Sequence, residues 1–175
     1  MLSPDEYPRR ILVAVTGLSP QIVTETLYSL AVASTCPFVP TEIHLITTSG
    51  GAEKARLGLL SDDPGWFHRL CKDYSLPPIR FDADTIHTLT DAIGKPLDDI
   101  RSPEDNRRAA DGITDLIRKF TADPHSALHA MSPSLRHIEA FKIACAARAE
   151  QLMGNKDVVV SSSVRFCSTR SVRFT

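Results

Sequence analysis

Near the start of the chain, Ile11 to Val15 runs Ile-Leu-Val-Ala-Val without a polar residue, between Arg10 and Thr16-Gly17. A short apolar run without alternation predicts a strand covered on both faces, as in parallel sheets. Ser19 then offers an N-cap and Pro20 suits the first helical position. Val23, Leu27, Leu30 and Ala31 recur at the spacing of one helix face, and the two prolines between Cys36 and Pro40 end that helix. Glu42 to Thr47 reads as a second strand, leading into a Thr48-Ser49-Gly50-Gly51 loop and a helix over Ala52 to Leu60. Asp62-Asp63-Pro64-Gly65 is a turn, Trp66 to Tyr74 a further helix, and Leu76-Pro77-Pro78 breaks it. Ile79 to Phe81 and Thr85 to Leu89 are extended, and Asp91 to Arg101 is an irregular loop or small hairpin.

Ser102-Pro103-Glu104-Asp105 combines a cap, a proline and acids suited to the positive end of a helix dipole. Ala109, Ile113, Leu116, Ile117 and Phe120 supply that helix with its buried stripe, and Asp123-Pro124 closes it. Ala127 to Ala130 is a short strand. Ser132-Pro133 repeats the start signal for a helix reaching Met153, Gly154-Asn155 stops it, and Val158 to Val160 begins a last strand. Strands alternating with helices require right-handed crossovers, so the expected fold is α/β: a Rossmann-like, mostly parallel sheet flanked by helices. One domain spans residues 1–160. Residues 161–175, with Arg165, Arg170, Arg173 and a repeated Val-Arg-Phe, form a basic tail or terminal strand.

Charge narrows the function classes. The 175 residues carry 20 Lys+Arg against 21 Asp+Glu, a net charge of -1. That gives no reason to expect attachment to duplex nucleic acid or to an anionic membrane. A small anion held by local dipoles remains compatible. Cys36, Cys71, Cys145 and Cys167 form no CxxC pair, which points to reduced thiols. With no signal-like N-terminus and no membrane-length apolar run, the cytoplasm is the expected location.

In open α/β sheets ligands sit beyond the C-terminal strand ends. Two loops there are rich in hydroxyls and glycine: Thr16-Gly17-Leu18-Ser19 and Thr47-Thr48-Ser49-Gly50-Gly51. Amides at the start of the Pro20 helix favour an anion, and Ser19, Thr48 and Ser49 add hydroxyl donors. The competing reading is that Ser19 merely caps a helix and the second loop merely turns the chain. GxGxxG and GxxxxGK[ST] are absent, which argues against a nicotinamide dehydrogenase and a P-loop NTPase. Pro20 after Ser19, and the missing second glycine, argue against a serine nucleophile elbow. His68 and Cys71 lack a second ligand pair for zinc, so no metal or cofactor is implied. His125 and His129 read as surface or second-layer residues, and Asp62-Asp63 and Asp98-Asp99 as solvated caps.

The segments RRILVAVTGLSPQIVTETLYSL and VPTEIHLITTSGGAEKARLGLLSDDPGWFHRLCKDY resemble a family of small CRISPR-associated proteins with a CARF domain, the CRISPR-associated Rossmann fold. The resemblance extends from about Arg9 to His129, and Val-Thr-Gly-Leu-Ser-Pro-Gln-Ile-Val-Thr-Glu is its most specific run. It implies a homodimer of a type III CRISPR defence system that binds cyclic oligoadenylate across its two-fold axis. Relatives act as sensors or as metal-independent ring nucleases. On this chain the implied ligand loop is Thr16, Gly17, Leu18, Ser19, Pro20 and Gln21, with Thr48 and Ser49 on the neighbouring edge. Ser19 and Arg136 are the implied catalytic candidates. Where relatives carry a Ser-Ile-Ala-Gly-Gly-Arg-Lys-type segment, this chain reads Met131-Ser132-Pro133-Ser134-Leu135-Arg136-His137. Arg136, His137 or Lys142 would have to replace the lost cations. Three readings stay open: a ligand-binding protein that also cleaves the ring, a non-catalytic sensor regulating a partner, and an inactive remnant with an incomplete C-terminal part.

Overall fold

A computed structural model describes residues 6–131 and 158–161. The strands are β1 (Arg9–Val15), β2 (Glu42–Thr47), β3 (Ile86–Thr88), β4 (Ser126–Met131) and β5 (Val158–Ser161), and the helices are α1 (Ile22–Ala31), α2 (Ser49–Ala55), α3 (Trp66–Asp73) and α4 (Pro103–Thr121). The strands form one sheet in the order β3-β2-β1-β4-β5, with every pair parallel. The expected Rossmann-like α/β architecture is therefore present.

The burial of β1 explains its composition. Leu12 and Ala14 face one side, where Ile43 and Leu45 join Val23 and Leu27 of α1, Ala52 and Ala55 of α2, and Phe67 of α3. Ile11, Val13 and Val15 face the other, against Ala109, Ile113, Ile117 and Phe120 of α4. A strand at the centre of three layers has no solvated face and hence no polar alternation. The chain runs outward from β1 through β2 to β3, then returns to β4 on β1's other side. The sheet's switch point thus lies beside β1, and the loop leaving β1 opens at the edge where such folds hold ligands.

Two helix starts differ from expectation. Ser19 and Pro20 do not begin α1; the helix starts at Ile22 behind Gln21, whose side chain makes no cap bond. Pro20 is buried in the preceding turn, and its carbonyl accepts from Val23 N at 3.0 Å. The second helix begins at Ser49 rather than Ala52, so Gly50 and Gly51 lie inside α2 instead of in a loop. A π-helical stretch, Arg56–Leu60, continues it. The small hairpin spans residues 89–97, starting before the expected 91–101: Thr90 bridges Pro96 antiparallel, and Asp91 N donates to Lys95 O at 2.9 Å. The expected helix over Ser132 to Met153 and the basic tail lie outside the described residues. No helix among the described residues is long and apolar enough to cross a membrane.

Candidate functional site

The loop Thr16 to Gln21 is held from beneath through its carbonyls. Thr16 N extends the sheet by donating to Ile46 O at 3.0 Å. Thr16 Oγ1 donates to Ser19 O at 3.2 Å, Thr47 Oγ1 donates to Gly17 O at 3.0 Å, and Gln21 O accepts from Glu25 N at 3.1 Å. By contrast, the amides of Gly17, Leu18, Ser19 and Gln21 have no protein acceptor among the described residues. Leu18, Ser19 and Gln21 are exposed. With the Gly17, Ser19, Pro20 and Gln21 carbonyls engaged and these four amides unengaged, the loop presents a net positive face to solvent. The N-cap position of α1 falls to Gln21 and not to Ser19, which removes the reading of this serine as a helix cap alone.

The second loop meets the first closely. A Cβ at Gly51 would stand 2.0 Å from Thr47 Oγ1 and 2.3 Å from Gly17 O, and one at Gly50 would stand 3.2 Å from Leu18 Cδ2. Only a residue without a side chain allows the start of α2 to lie against the β1–α1 loop. A Cβ at Gly17 itself would meet nothing within 4 Å. Thr48 precedes α2 without capping it. Its hydroxyl is buried and has no hydrogen-bond partner among the described residues. Ser49 behaves differently from the expected free donor: its amide donates to Leu97 O at 2.8 Å and its hydroxyl donates to Asp98 Oδ1. Asp98, read from sequence as a solvated turn residue, is therefore part of this corner.

The structure thus brings together Thr16, Gly17, Leu18, Ser19, Gln21, Thr48 and Ser49, with the starts of α1 and α2 adding their dipoles. Neither Thr16 to Gln21 nor Thr47 to Gly51 contains a lysine or arginine. Arg136, His137 and Lys142 lie outside the described residues. An open groove of about 500 Å³ leads away from Gln21 between α1 and α3, lined by Thr24, Glu25, Tyr28, Trp66 and Arg69. The Arg69 guanidinium stacks 5.2 Å from the Trp66 ring centre.

The remaining candidates are dispersed. His68 is exposed, and burial pushes the Cys71 thiol up. Among the described residues no cluster of three His, Cys, Asp or Glu is placed to hold a metal ion. His125 is exposed, but His129 is not a surface residue: it sits buried within β4, and burial pulls its pKa down to about 4.

Sequence reasoning missed a second polar cluster at the opposite end of the sheet. His44 Nδ1 and His87 Nε2 lie 2.9 Å apart, and the His44 ring centre is 4.2 Å from that of Phe120. Arg9 pairs with Glu42 at 2.6 Å and with Asp123 at 3.6 Å. Burial first, then His87 and Arg9, lowers the His44 pKa to about 4 against the opposing pull of Glu42. The available signal was the Glu42-x-His44 spacing, which sets two polar residues on one face of a strand otherwise apolar.

A family model described as CRISPR-associated protein NE0113 matches residues 19–160 of the chain. No curated protein gives a significant match.

Proposed function

The chain belongs to the CRISPR-associated protein NE0113 family, and on that basis we propose that it is a CARF-type Rossmann domain binding cyclic oligoadenylate as a homodimer. One observation carries the proposal: among the described residues, the β1–α1 loop at the switch point leaves four amides without protein acceptors beside a buried hydroxyl that also lacks a partner. Phosphate oxygens satisfy such donors, and the nearby helix starts favour their charge. A ring of repeated nucleotides matches a site doubled by a two-fold axis. Two phosphates related by that axis then meet the same loop, one from each protomer.

The reading stops at binding. Opening the ring requires a ribose 2′-hydroxyl held in line with its phosphate and stabilisation of charge on the phosphoryl oxygens. The described loops supply donors for the second need and no cation.

Labelled cyclic tetraadenylate mixed with micromolar protein tests the proposal. Retention of the label by a species of dimeric mass is the expected outcome. Absence of both binding and ring opening would overturn it, and ring-opened product would extend it to a ring nuclease. A sharp cooperative melt of the same preparation excludes an unfolded remnant as the reason for a negative result.

A further inference from the structure

We propose that Ser49 and Asp98 form an acceptor pair for a ribose hydroxyl beside the phosphate loop, so that this corner distinguishes a ribonucleotide from its 2′-deoxy counterpart. The inference rests on the nucleotide-binding reading above and adds to it a specificity-determining pair.

The hydrogen-bond inventory sets the polarity of the pair. A serine hydroxyl has one proton to give, and Ser49 gives it to Asp98 Oδ1. The Ser49 amide is likewise consumed, by Leu97 O at 2.8 Å. What the pair still offers is lone pairs: those of Ser49 Oγ, and those of Asp98 Oδ2, which has no partner among the described residues. Acceptors carrying a negative charge disfavour a bare phosphate and favour a hydroxyl that can donate to them.

Placement makes that polarity useful. Ser49 immediately precedes Gly50, whose Cβ position lies 3.2 Å from Leu18 of the phosphate loop. The donor loop and the acceptor pair therefore share one corner. Asp98 is carried there by the hairpin of residues 89–97, which is tied to the sheet where Leu89 N donates to Thr47 O at 2.8 Å and closed where Leu97 N donates to Leu89 O at 2.8 Å. The neighbouring residue leaves a further polar atom unmatched. Thr48, the residue before Ser49, is 6% exposed, and its hydroxyl has no hydrogen-bond partner among the described residues. A nucleotide presents phosphate acceptors and ribose donors a few ångströms apart, matching a corner with donors on one side and acceptors on the other. An acidic side chain near the end of the strand next to the phosphate loop serves the ribose in other doubly wound folds.

The test measures the affinity of wild type, Asp98→Ala and Ser49→Ala for cyclic tetraadenylate and for its all-2′-deoxy counterpart. Wild type should bind the ribose ring at least about tenfold more tightly, the effect of one charge-assisted hydrogen bond. Asp98→Ala should reduce that preference to within about threefold without weakening the deoxy ring, because it also removes a negative charge near phosphate. Asp98 is exposed, so its melting temperature should match that of wild type. Equal affinity of wild type for the two rings would overturn the pair while leaving nucleotide binding intact. A preference that survives in Asp98→Ala would do the same. Failure to bind either ring would remove both the nucleotide reading and the pair that rests on it.

Discussion

A methyl group added at Gly17 and one added at Gly51 meet opposite surroundings, although the two residues face each other across the same corner. At Gly51 the methyl would overlap Thr47 Oγ1 and Gly17 O. Gly51→Ala should therefore destabilise the fold by about 1–3 kcal/mol, an overpacking cost exceeding the gain in helix propensity. Gly17 has open space around its Cβ position, so Gly17→Ala should leave stability unchanged or raised by up to about 1 kcal/mol. The same methyl would stand in the path of a ligand approaching the loop amides, and affinity for cyclic tetraadenylate should fall at least about tenfold. Denaturant titrations paired with binding curves check both variants, and a Gly17→Ala protein of full affinity would show that the ligand does not approach there. Ser19→Ala gives a third contrast. With no cap to lose, its stability should stay within about 0.5 kcal/mol of wild type, while a lost hydrogen bond to phosphate should cost about 1.5–3 kcal/mol of binding.

At the scale of elements, α4 shows which local signals suffice. Ser102 Oγ accepts from Asp105 N at 3.0 Å, and Asp105 Oδ2 accepts from Ser102 N at 2.9 Å, closing a reciprocal capping box. Ser102→Ala should cost about 1 kcal/mol in thermal or chemical denaturation; a change indistinguishable from zero would mean that packing of Ile113, Ile117 and Phe120 alone fixes the helix start. This start was legible because every residue of the box is local in sequence. Strand β1 was legible for a similar reason, its apolar run being complete in itself. The starts of α1 and α2 were not. Ser19-Pro20 matched a cap motif, yet Thr16 Oγ1 takes the Ser19 carbonyl and the chain turns once more before the helix begins. Gly50-Gly51 matched a loop, yet those glycines answer contacts with Leu18 and Gly17, more than thirty residues earlier in the chain. The candidate loop was chosen by its position after β1, and the strand order puts that position at the switch point of the sheet. The bond from Ser49 to Asp98 stayed hidden because nothing local links the two residues.

For the molecule as a whole, buried histidines couple stability to acid. His44 and His129 each have a pKa near 4 in the folded protein, and His87 is lowered too, by burial and by Lys119. In the unfolded chain all three titrate near the ordinary value of about 6.5. Below pH 6.5 the unfolded state takes up protons that the folded state refuses, so stability is fully present above that pH and falls as pH drops toward 4. Each fully refused proton gives a slope of about 1.4 kcal/mol per pH unit within that window. Glu42, Arg9, Asp123 and Lys119 surround the His44–His87 pair. The attraction of Glu42 for a protonated His44 opposes the trend without reversing it, because burial is the largest influence on that ring. His129 stands apart from these charges on the other face, with Phe38 5.7 Å away and its Nε2 unpartnered among the described residues. His129→Leu should thus remove a buried polar atom and one acid-sensitive proton together. The variant is expected to be at least as stable as wild type at pH 7 and to lose stability less steeply between pH 6 and 4.5. Urea unfolding at half-unit pH intervals reads both quantities, and identical slopes for the two proteins would mean that His129 is protonated in the folded state as readily as in the unfolded chain.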